Sequence, residues 1–296
     1  ESSFIDWREQ SYPVWAQPAD IYMSECLGTN AAYYGVLKVM EDMATVLGKK
    51  KDVKKYGQKA EALKKAINDN FWVEEDGYYA SYLYGRQNLT RTQQSETLGE
   101  SFCVLFGIAD EERAAKVISS MPVGEFGPPI FSPQIVSQPD YHNNGVWPYV
   151  TSFWGKAAAK VGNETALMHA LACNVRTASI YATNYENYSF NTGNPYTTQI
   201  NSPNMLWGLS GFMGLFHRTF FGLEFTKEGL ALKPFVPTVL AGTRKLEAFP
   251  YRGMKLDITV SGSGNEIASC LVDGKEAEAF IPADWTGNHS IEIVMK

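Results

Sequence analysis

Two distant segments of the chain carry carboxylates among aromatic and amide side chains. Residues Glu1–Trp15 have the sequence ESSFIDWREQSYPVW, and residues Asn184–Tyr196 have the sequence NYENYSFNTGNPY. A carboxylic acid can protonate a leaving oxygen, a carboxylate can activate a water molecule, and flat rings can hold a sugar between the two. The pair of segments therefore predicts general acid–base cleavage of a glycosidic bond.

Asp6 is the candidate acid of the first segment. It lies between Ile5 and Trp7, and burial against a ring raises the pKa of a carboxyl group, as a general acid requires. A neighbouring Arg8 would lower that pKa, and Glu9 is the rival acid. The alternative interpretation is structural: Asp6 caps a turn or pairs with Arg8, because acids in loops often stabilise turns.

Glu186 is the candidate base of the second segment. It lies in a polar, aromatic stretch just before a predicted helix. An ionised, partly hydrated carboxylate at such a position could take a proton from water. The alternative interpretation is an ordinary surface glutamate, since loops are normally polar.

A third segment, Tyr141–Pro148 (YHNNGVWP), directly precedes another predicted helix and offers rings and hydrogen-bonding groups for sugar hydroxyls. We predict rings for sugar stacking at Trp7, Tyr141, Trp147 and Trp207. We predict hydroxyl contacts at Arg8, His142 and Asn143. No second histidine lies at metal-ligand spacing from His142, so the sequence predicts no metal site, and nothing in it indicates a cofactor.

Composition narrows the classes of partner. The formal net charge is −6, so no basic field attracts nucleic acid, and no apolar run is long enough to predict a membrane span. The four cysteines are widely spaced and form no CxxC pair. Because the sequence starts at Glu1 within the first acidic segment, we expect a longer product. Polysaccharide chemistry favours a periplasmic or secreted location.

The order of elements predicts a mainly α protein. Residues 1–221 have helical periodicity, with long loops rich in Gly, Pro, Asn and Tyr between helix pairs, which is typical of an α-toroid with one active-site face. Residues 222–296 alternate as a small antiparallel β region, with hairpin turns expected at Gly264-Asn265 and Asp273-Gly274. Cys26–Leu47 is predicted to be buried on all sides, and Ser202 is predicted to cap a last helix that runs to Phe220.

The three segments resemble motifs of the six-hairpin glycosidases, above all glycoside hydrolase family 63 and its trehalase relatives. Glu1–Asp6 is similar to the E-S-G-x-D stretch whose Asp is the general acid, with one extra residue and Ser in place of Gly. Glu186–Gly193 is similar to the E-x-Y-(N/D)-x-x-T-G stretch that holds the general base, and Trp207 follows in the last helix. Tyr141–Pro148 resembles the G-x-W-P substrate loop of the wider clan.

The resemblance implies an (α/α)6 barrel and an inverting hydrolase of α-linked glucosides or related α-glycosides. It also implies an oligosaccharide or polysaccharide as the substrate. Such a barrel has twelve helices, whereas about seven are predicted after Asp6. The first helices are therefore expected from the rest of the same gene product or from another chain.

Three alternatives stay open. A glycoside phosphorylase on the same barrel would use phosphate in place of the base. A sugar epimerase is disfavoured, because it relies on histidines and the four present are unpaired in the sequence. A non-catalytic half-barrel could bind glycan.

Overall fold

The computed structural model describes residues 11–85 and 88–296. The chain divides into two compact units, Glu1–Phe212 and Met213–Lys296. The described part of the first unit is built from helices with short β ladders, and the second unit is built from β-sheets. This confirms the predicted succession of a helical region and a β region.

Helices of the described residues alternate between buried and polar ones. They are α1 Pro18–Met23, α2 Leu27–Val46, α3 Lys50–Asn70, α4 Thr97–Leu105, α5 Glu111–Ser120, α6 Pro148–Lys160, α7 Glu164–Tyr181 and α8 Leu206–Leu215. Helix α2 packs on α3 and α4, α4 packs on α6, and α6 packs on α7. Helices α4 and α6 are mostly buried, whereas α3 and α5 bury one stripe each. None of these helices is both long and apolar enough to cross a membrane. Closure of the helices into a ring stays a prediction.

Short ladders lie at the amino-terminal ends of the buried helices. The strands are β1 Glu25–Cys26, β2 Trp72–Val73, β3 Tyr78–Tyr79, β4 Tyr82–Tyr84, β5 Thr90–Arg91, β6 Ser95–Glu96, β7 Phe131–Ser132, β8 Gly145–Val146 and β9 Tyr188–Ser189. Strands β1, β6 and β8 come directly before α2, α4 and α6. Backbone bonds from Thr97 N to Ile130 O (3.0 Å) and from Ile130 N to Gly145 O (2.9 Å) link successive ladders. The loops that enter the buried helices are therefore joined to one another.

The start of the last helix differs from the prediction. Helix α8 begins at Leu206, so Ser202 is not its N-cap. Asn204 adopts a left-handed conformation (φ 60°), which interrupts any helix that starts upstream. The Thr183 hydroxyl donates to the Asn204 side chain (2.9 Å) and fixes this turn. Beyond α8 the chain continues as a π-helical turn, Phe216–Phe220.

Helix α2 also differs from the prediction, because it is not buried on all sides. One face packs on α3 and α4. The opposite face carries a row of apolar side chains that are about half exposed in the described part of the chain. We call this row the α2 stripe: Tyr33, Val36, Val39, Met43 and Val46. The spacing of three or four residues puts them on one side of the helix.

The second unit contains two sheets. Its strands are β10 Leu223–Phe225, β11 Gly229–Leu232, β12 Gly242–Tyr251, β13 Met254–Gly262, β14 Ile267–Val272, β15 Lys275–Glu276, β16 Phe280–Pro282 and β17 Gly287–Met295. The orders are β10-β11-β16 and β12-β13-β17-β14-β15. Alternate residues of β13 and β17 are buried and form the core, including Leu256, Ile258, Ile291 and Ile293.

Two turn predictions have opposite outcomes. Asp273 and Gly274 have positive φ angles (51° and 75°) and join the paired strands β14 and β15, as predicted. Gly264-Asn265 does not form a hairpin, because β17 lies between β13 and β14. Strand β17 runs parallel to β13, so the five-stranded sheet is mixed, whereas the other strand pairs of the two sheets are antiparallel as predicted.

Two glutamates are fully buried at helix α4. The Glu96 carboxylate accepts from the backbone N–H groups of Leu98 (2.8 Å) and Gly99 (3.0 Å), yet burial raises its pKa to about 7. Glu100 accepts from Tyr79 N (2.8 Å), and its other carboxylate oxygen is buried with no hydrogen-bond partner among residues 11–85 and 88–296. Burial raises the pKa of Glu100 well above its usual range, so its neutral form is favoured.

These raised pKa values predict a fold that weakens as pH rises. The folded state holds protons that the unfolded state releases above about pH 4.5, so stability falls from there upward, and the part due to Glu96 is lost by about pH 7. A Glu100→Gln variant keeps the acceptor for Tyr79 but cannot ionise. Its Tm should exceed that of the wild type by at least about 2 °C at pH 8 and by less at pH 5. Exposed Glu111→Gln is the control, and equal shifts at both pH values would contradict this account.

Candidate functional site

Four of the predicted site residues, Asp6, Trp7, Arg8 and Glu9, lie outside the described residues. The structure describes Glu186 and the other predicted binding residues, which are Tyr141, His142, Asn143, Trp147 and Trp207. These come from two loops, one between α5 and α6 and one between α7 and α8, and from the first turn of α8.

Strands β8 and β9 bring the two loops together. They pair antiparallel with Gly145 opposite Ser189 and Val146 opposite Tyr188. The Phe190 N–H donates to the Asn144 carbonyl (2.8 Å) and extends the ladder. At its edge, the Tyr141 hydroxyl lies 3.4 Å from the Glu186 carboxylate. Two motifs that are far apart in the sequence are therefore joined at the predicted base.

Asp140 holds the same two loops together through its side chain. One carboxylate oxygen accepts from the Asn144 amide (2.8 Å), and the other accepts from the Ser189 hydroxyl (3.0 Å). Its backbone carbonyl accepts from Gln199 N (2.8 Å). Asp140 is not among the residues predicted from the sequence. Its position directly before the Tyr141 motif is the available signal, but both side-chain partners depend on the folded loops.

The loop that carries Glu186 is tied to its own far end. Glu186 N donates to the Ser202 carbonyl (2.9 Å). The Asn201 amide donates to the Asn187 carbonyl (2.7 Å) and to the Pro195 carbonyl (2.8 Å). Because the backbone on each side of Glu186 is held by hydrogen bonds, its carboxylate starts from a restricted position, which lowers the entropy cost of using it in catalysis.

Aromatic rings form a cluster next to this ladder. Trp147 is fully buried, its ring centroid lies 5.1 Å from that of Tyr141, and its indole N–H donates to the Tyr141 carbonyl (2.9 Å). The Trp207 ring lies 5.5 Å from that of Trp147, stacks on Tyr149 (4.9 Å, 21°) and is 37% exposed. Trp147 therefore supports the cluster, whereas Trp207 has a surface that a sugar can reach.

His142 and Asn143 are both buried and have partners in the protein. His142 Nδ1 contacts the Ser11 hydroxyl. The Asn143 side chain accepts from Ile135 N (2.7 Å) and donates to the carbonyls of Ile135 (3.1 Å) and Gln138 (3.0 Å). In this arrangement Asn143 fixes the neighbouring 135–138 segment to the Tyr141 loop.

A group of four tyrosines next to Glu186 was not predicted. The rings are those of Tyr181, Tyr185, Tyr188 and Tyr196. Tyr185 directly precedes Glu186, and its hydroxyl bonds that of Tyr196 (3.1 Å), which is 72% exposed. The density of tyrosines around position 186 is a signal in the sequence, and in the structure the four rings contact one another.

Comparison with known proteins identifies the family. The family model described as mannosylglycerate hydrolase MGH1-like glycoside hydrolase domain matches residues 9–207. The chain belongs to this family. No curated protein matches it. Among solved structures, a sialidase is similar in fold, with a TM-score of 0.66 and 18% sequence identity. The matched region covers 86% of this chain and 26% of the sialidase chain. The chain thus spans about a quarter of that sialidase's length.

The match to the MGH1-like family covers every described residue of the candidate site. Glu186, the Tyr141 loop, Asp140 and Trp207 all lie between residues 9 and 207. Glycoside hydrolases use aromatic rings to hold a sugar and a carboxylate to act at its anomeric carbon. The restrained loop of Glu186 and the neighbouring rings supply both kinds of group.

Proposed function

We propose that this chain carries part of the active site of an inverting glycoside hydrolase, acting on α-linked glucosides or related α-glycosides. The observation that supports this most directly is the position of Glu186. Its carboxylate lies on a restrained loop, within reach of the Tyr141 hydroxyl, in a chain of the MGH1-like family, and the same loop carries the exposed ring of Tyr196. The finer relationship to family 63 and the trehalases is part of the same proposal.

In the proposed mechanism Asp6 protonates the glycosidic oxygen. Glu186 removes a proton from a water molecule on the opposite face of the sugar, and that water attacks the anomeric carbon as the glycosidic bond breaks. The two carboxyl groups would lie roughly 6.5–9.5 Å apart, which leaves room for the water. Tyr141 orients the Glu186 carboxylate, and Trp207 offers a ring on which the sugar stacks.

The configuration of the first product tests this mechanism. We expect proton NMR to show the β-anomer first when an α-glycoside is hydrolysed, because one displacement inverts the anomeric carbon. The panel should contain α-linked gluco-oligosaccharides and also mannosylglycerate, which the family description names. An α-anomer formed first would overturn the inverting assignment. Turnover that requires inorganic phosphate and yields a sugar phosphate would favour the phosphorylase instead.

We further propose that additional helices cover the α2 stripe and complete the barrel. The stripe supports this, since it exposes five apolar side chains on one face of the first long helix of the described residues. A Val39→Asp change on the stripe should lower the melting temperature of the complete protein, because a charge would be buried. An unchanged melting temperature would indicate that the stripe faces solvent, and it would contradict the proposal.

A further inference from the structure

A cavity of about 680 Å³ opens beside strands β4 and β5, and its lining does not include Glu186. Its wall includes Trp15, Tyr84, the pair Gln93 and Gln94, and Gln134. We propose that this cavity is a second sugar-binding subsite, which holds a further glycosyl residue of an oligosaccharide whose scissile bond lies at Glu186. The inference rests on the proposed function, and it specifies a substrate longer than a disaccharide. The volume lies within the range of about 300–1,000 Å³ typical of small-molecule sites.

The aromatic side of the cavity is a supported ring. Trp15 is 56% exposed, and its ring meets that of Tyr84 edge to face (5.2 Å, 75°). Tyr84 in turn stacks on the buried Tyr82 (5.5 Å, 13°). This row of rings holds Trp15 in place while half of its surface stays open. A flat, partly exposed indole with a fixed position is well suited to stack against the apolar face of a sugar.

The polar side of the cavity favours a neutral ligand. Gln93, Gln94 and Gln134 supply amides, which both donate to and accept from hydroxyl groups. Two charged residues, Arg91 and Asp20, lie in the described part of the wall, and both bond groups elsewhere in the protein. The Arg91 guanidinium donates to the carbonyls of Asn70 (2.6 Å) and Asp69 (3.0 Å) at the end of helix α3.

The second charged residue, Asp20, accepts from the backbone N–H of Gln17 (3.1 Å) at the start of helix α1. With both charges used to hold helix ends, the cavity has no cation directed to a phosphate or carboxylate in the residues that the structure describes. Sugar hydroxyls match the amides and the ring together.

Hydrogen bonds connect this cavity to the candidate site. The Gln134 amide donates to the Asn144 side chain, and Asn144 donates to Asp140, which also holds Ser189 next to Glu186. Asn143 fixes the backbone of Ile135 in the cavity wall. The wall and the Tyr141 loop therefore form one restrained piece, on which two sugars of one chain can be held in a fixed relation.

Substrate-length preference tests the subsite. The ratio of kcat/KM for maltopentaose to that for maltose should fall about five- to tenfold in Trp15→Ala of the complete protein, because the lost stacking affects only the longer substrate's extra contacts. Trp285→Ala, which removes another partly exposed indole from the second unit, is the matched control and should leave the ratio unchanged. A ratio unaltered by Trp15→Ala, or a wild type that prefers maltose, would overturn the subsite.

Direct binding separates this inference from the proposed function. In Glu186→Gln, which is designed to stop turnover, isothermal titration with maltopentaose should give an affinity that is lowered about five- to tenfold by the added Trp15→Ala change. Equal affinities with and without Trp15 would overturn the subsite, even if hydrolysis proceeds by inversion. Conversely, a retained anomer with a Trp15-dependent affinity would overturn the mechanism and support the subsite.

Discussion

Replacing Glu186 by glutamine should lower kcat for glycoside hydrolysis by about 10²–10⁴-fold, the range that a general base contributes. Glutamine keeps the shape of the side chain and can still accept from the Tyr141 hydroxyl, but it cannot take a proton from water. The loop hydrogen bonds of the Glu186 backbone are unaffected, so the melting temperature should stay the same. The measurement is initial-rate kinetics on the complete protein together with thermal unfolding.

Glu125→Gln provides the matched control, because Glu125 is also a loop glutamate and its side chain is largely exposed. This variant should retain wild-type kcat. A Glu186→Gln enzyme with undiminished turnover would reject the base assignment. Partial rescue of the variant by an external nucleophile such as azide, with the inverted product, would add direct support for the removed base.

The second large effect concerns two tryptophans of one cluster. Trp147→Ala should reduce the free energy of unfolding by about 3–5 kcal/mol, because it empties a fully buried site. It also removes the donor to the Tyr141 carbonyl. Trp207→Ala, whose ring is partly exposed, should cost less than half as much stability and should instead raise KM, since it offers a surface for the sugar. Chemical denaturation and steady-state kinetics measure the two effects.

Comparing Trp147→Ala with Trp207→Ala distinguishes a structural role from a role in substrate binding. The two rings are the same residue type and lie 5.5 Å apart, so nonspecific effects of losing an indole are matched. If Trp147→Ala unfolds like the wild type, the cluster does not depend on its buried ring. If Trp207→Ala changes stability but leaves KM unaltered, Trp207 is a packing residue only.

Much of the helical region could be predicted from the sequence, because helix periodicity and end signals are local. The starts of two helices show such local signals: the Asp110 carboxylate accepts from Arg113 N (2.9 Å) at α5, and the Asn163 side chain accepts from Ala166 N (3.0 Å) at α7. Predictions were wrong where residues distant in the sequence determine the local structure. Ser202 has good capping chemistry, but the contact between Thr183 and Asn204 moves the helix start. Likewise, no local pattern shows that β17 inserts between β13 and β14.

The candidate site likewise has features that the sequence indicates and features that depend on the folded structure. Strands β8 and β9 join the Tyr141 loop to the loop of Glu186, two motifs that are both recognisable in the sequence. Residue type alone could not distinguish Trp147 from Trp207, since exposure depends on what packs around each ring. Asp140 was missed for a related reason. Its role depends on Asn144 and Ser189, and these lie on two separate loops.

The α2 stripe has a practical consequence for work with this chain. Five half-exposed apolar side chains on one helix create a surface that tends to self-associate in water. Recombinant production of this chain should therefore give inclusion bodies or soluble aggregates, and mild detergent should restore a monodisperse sample. Crystallisation trials are best designed around variants in which polar residues replace the α2 stripe.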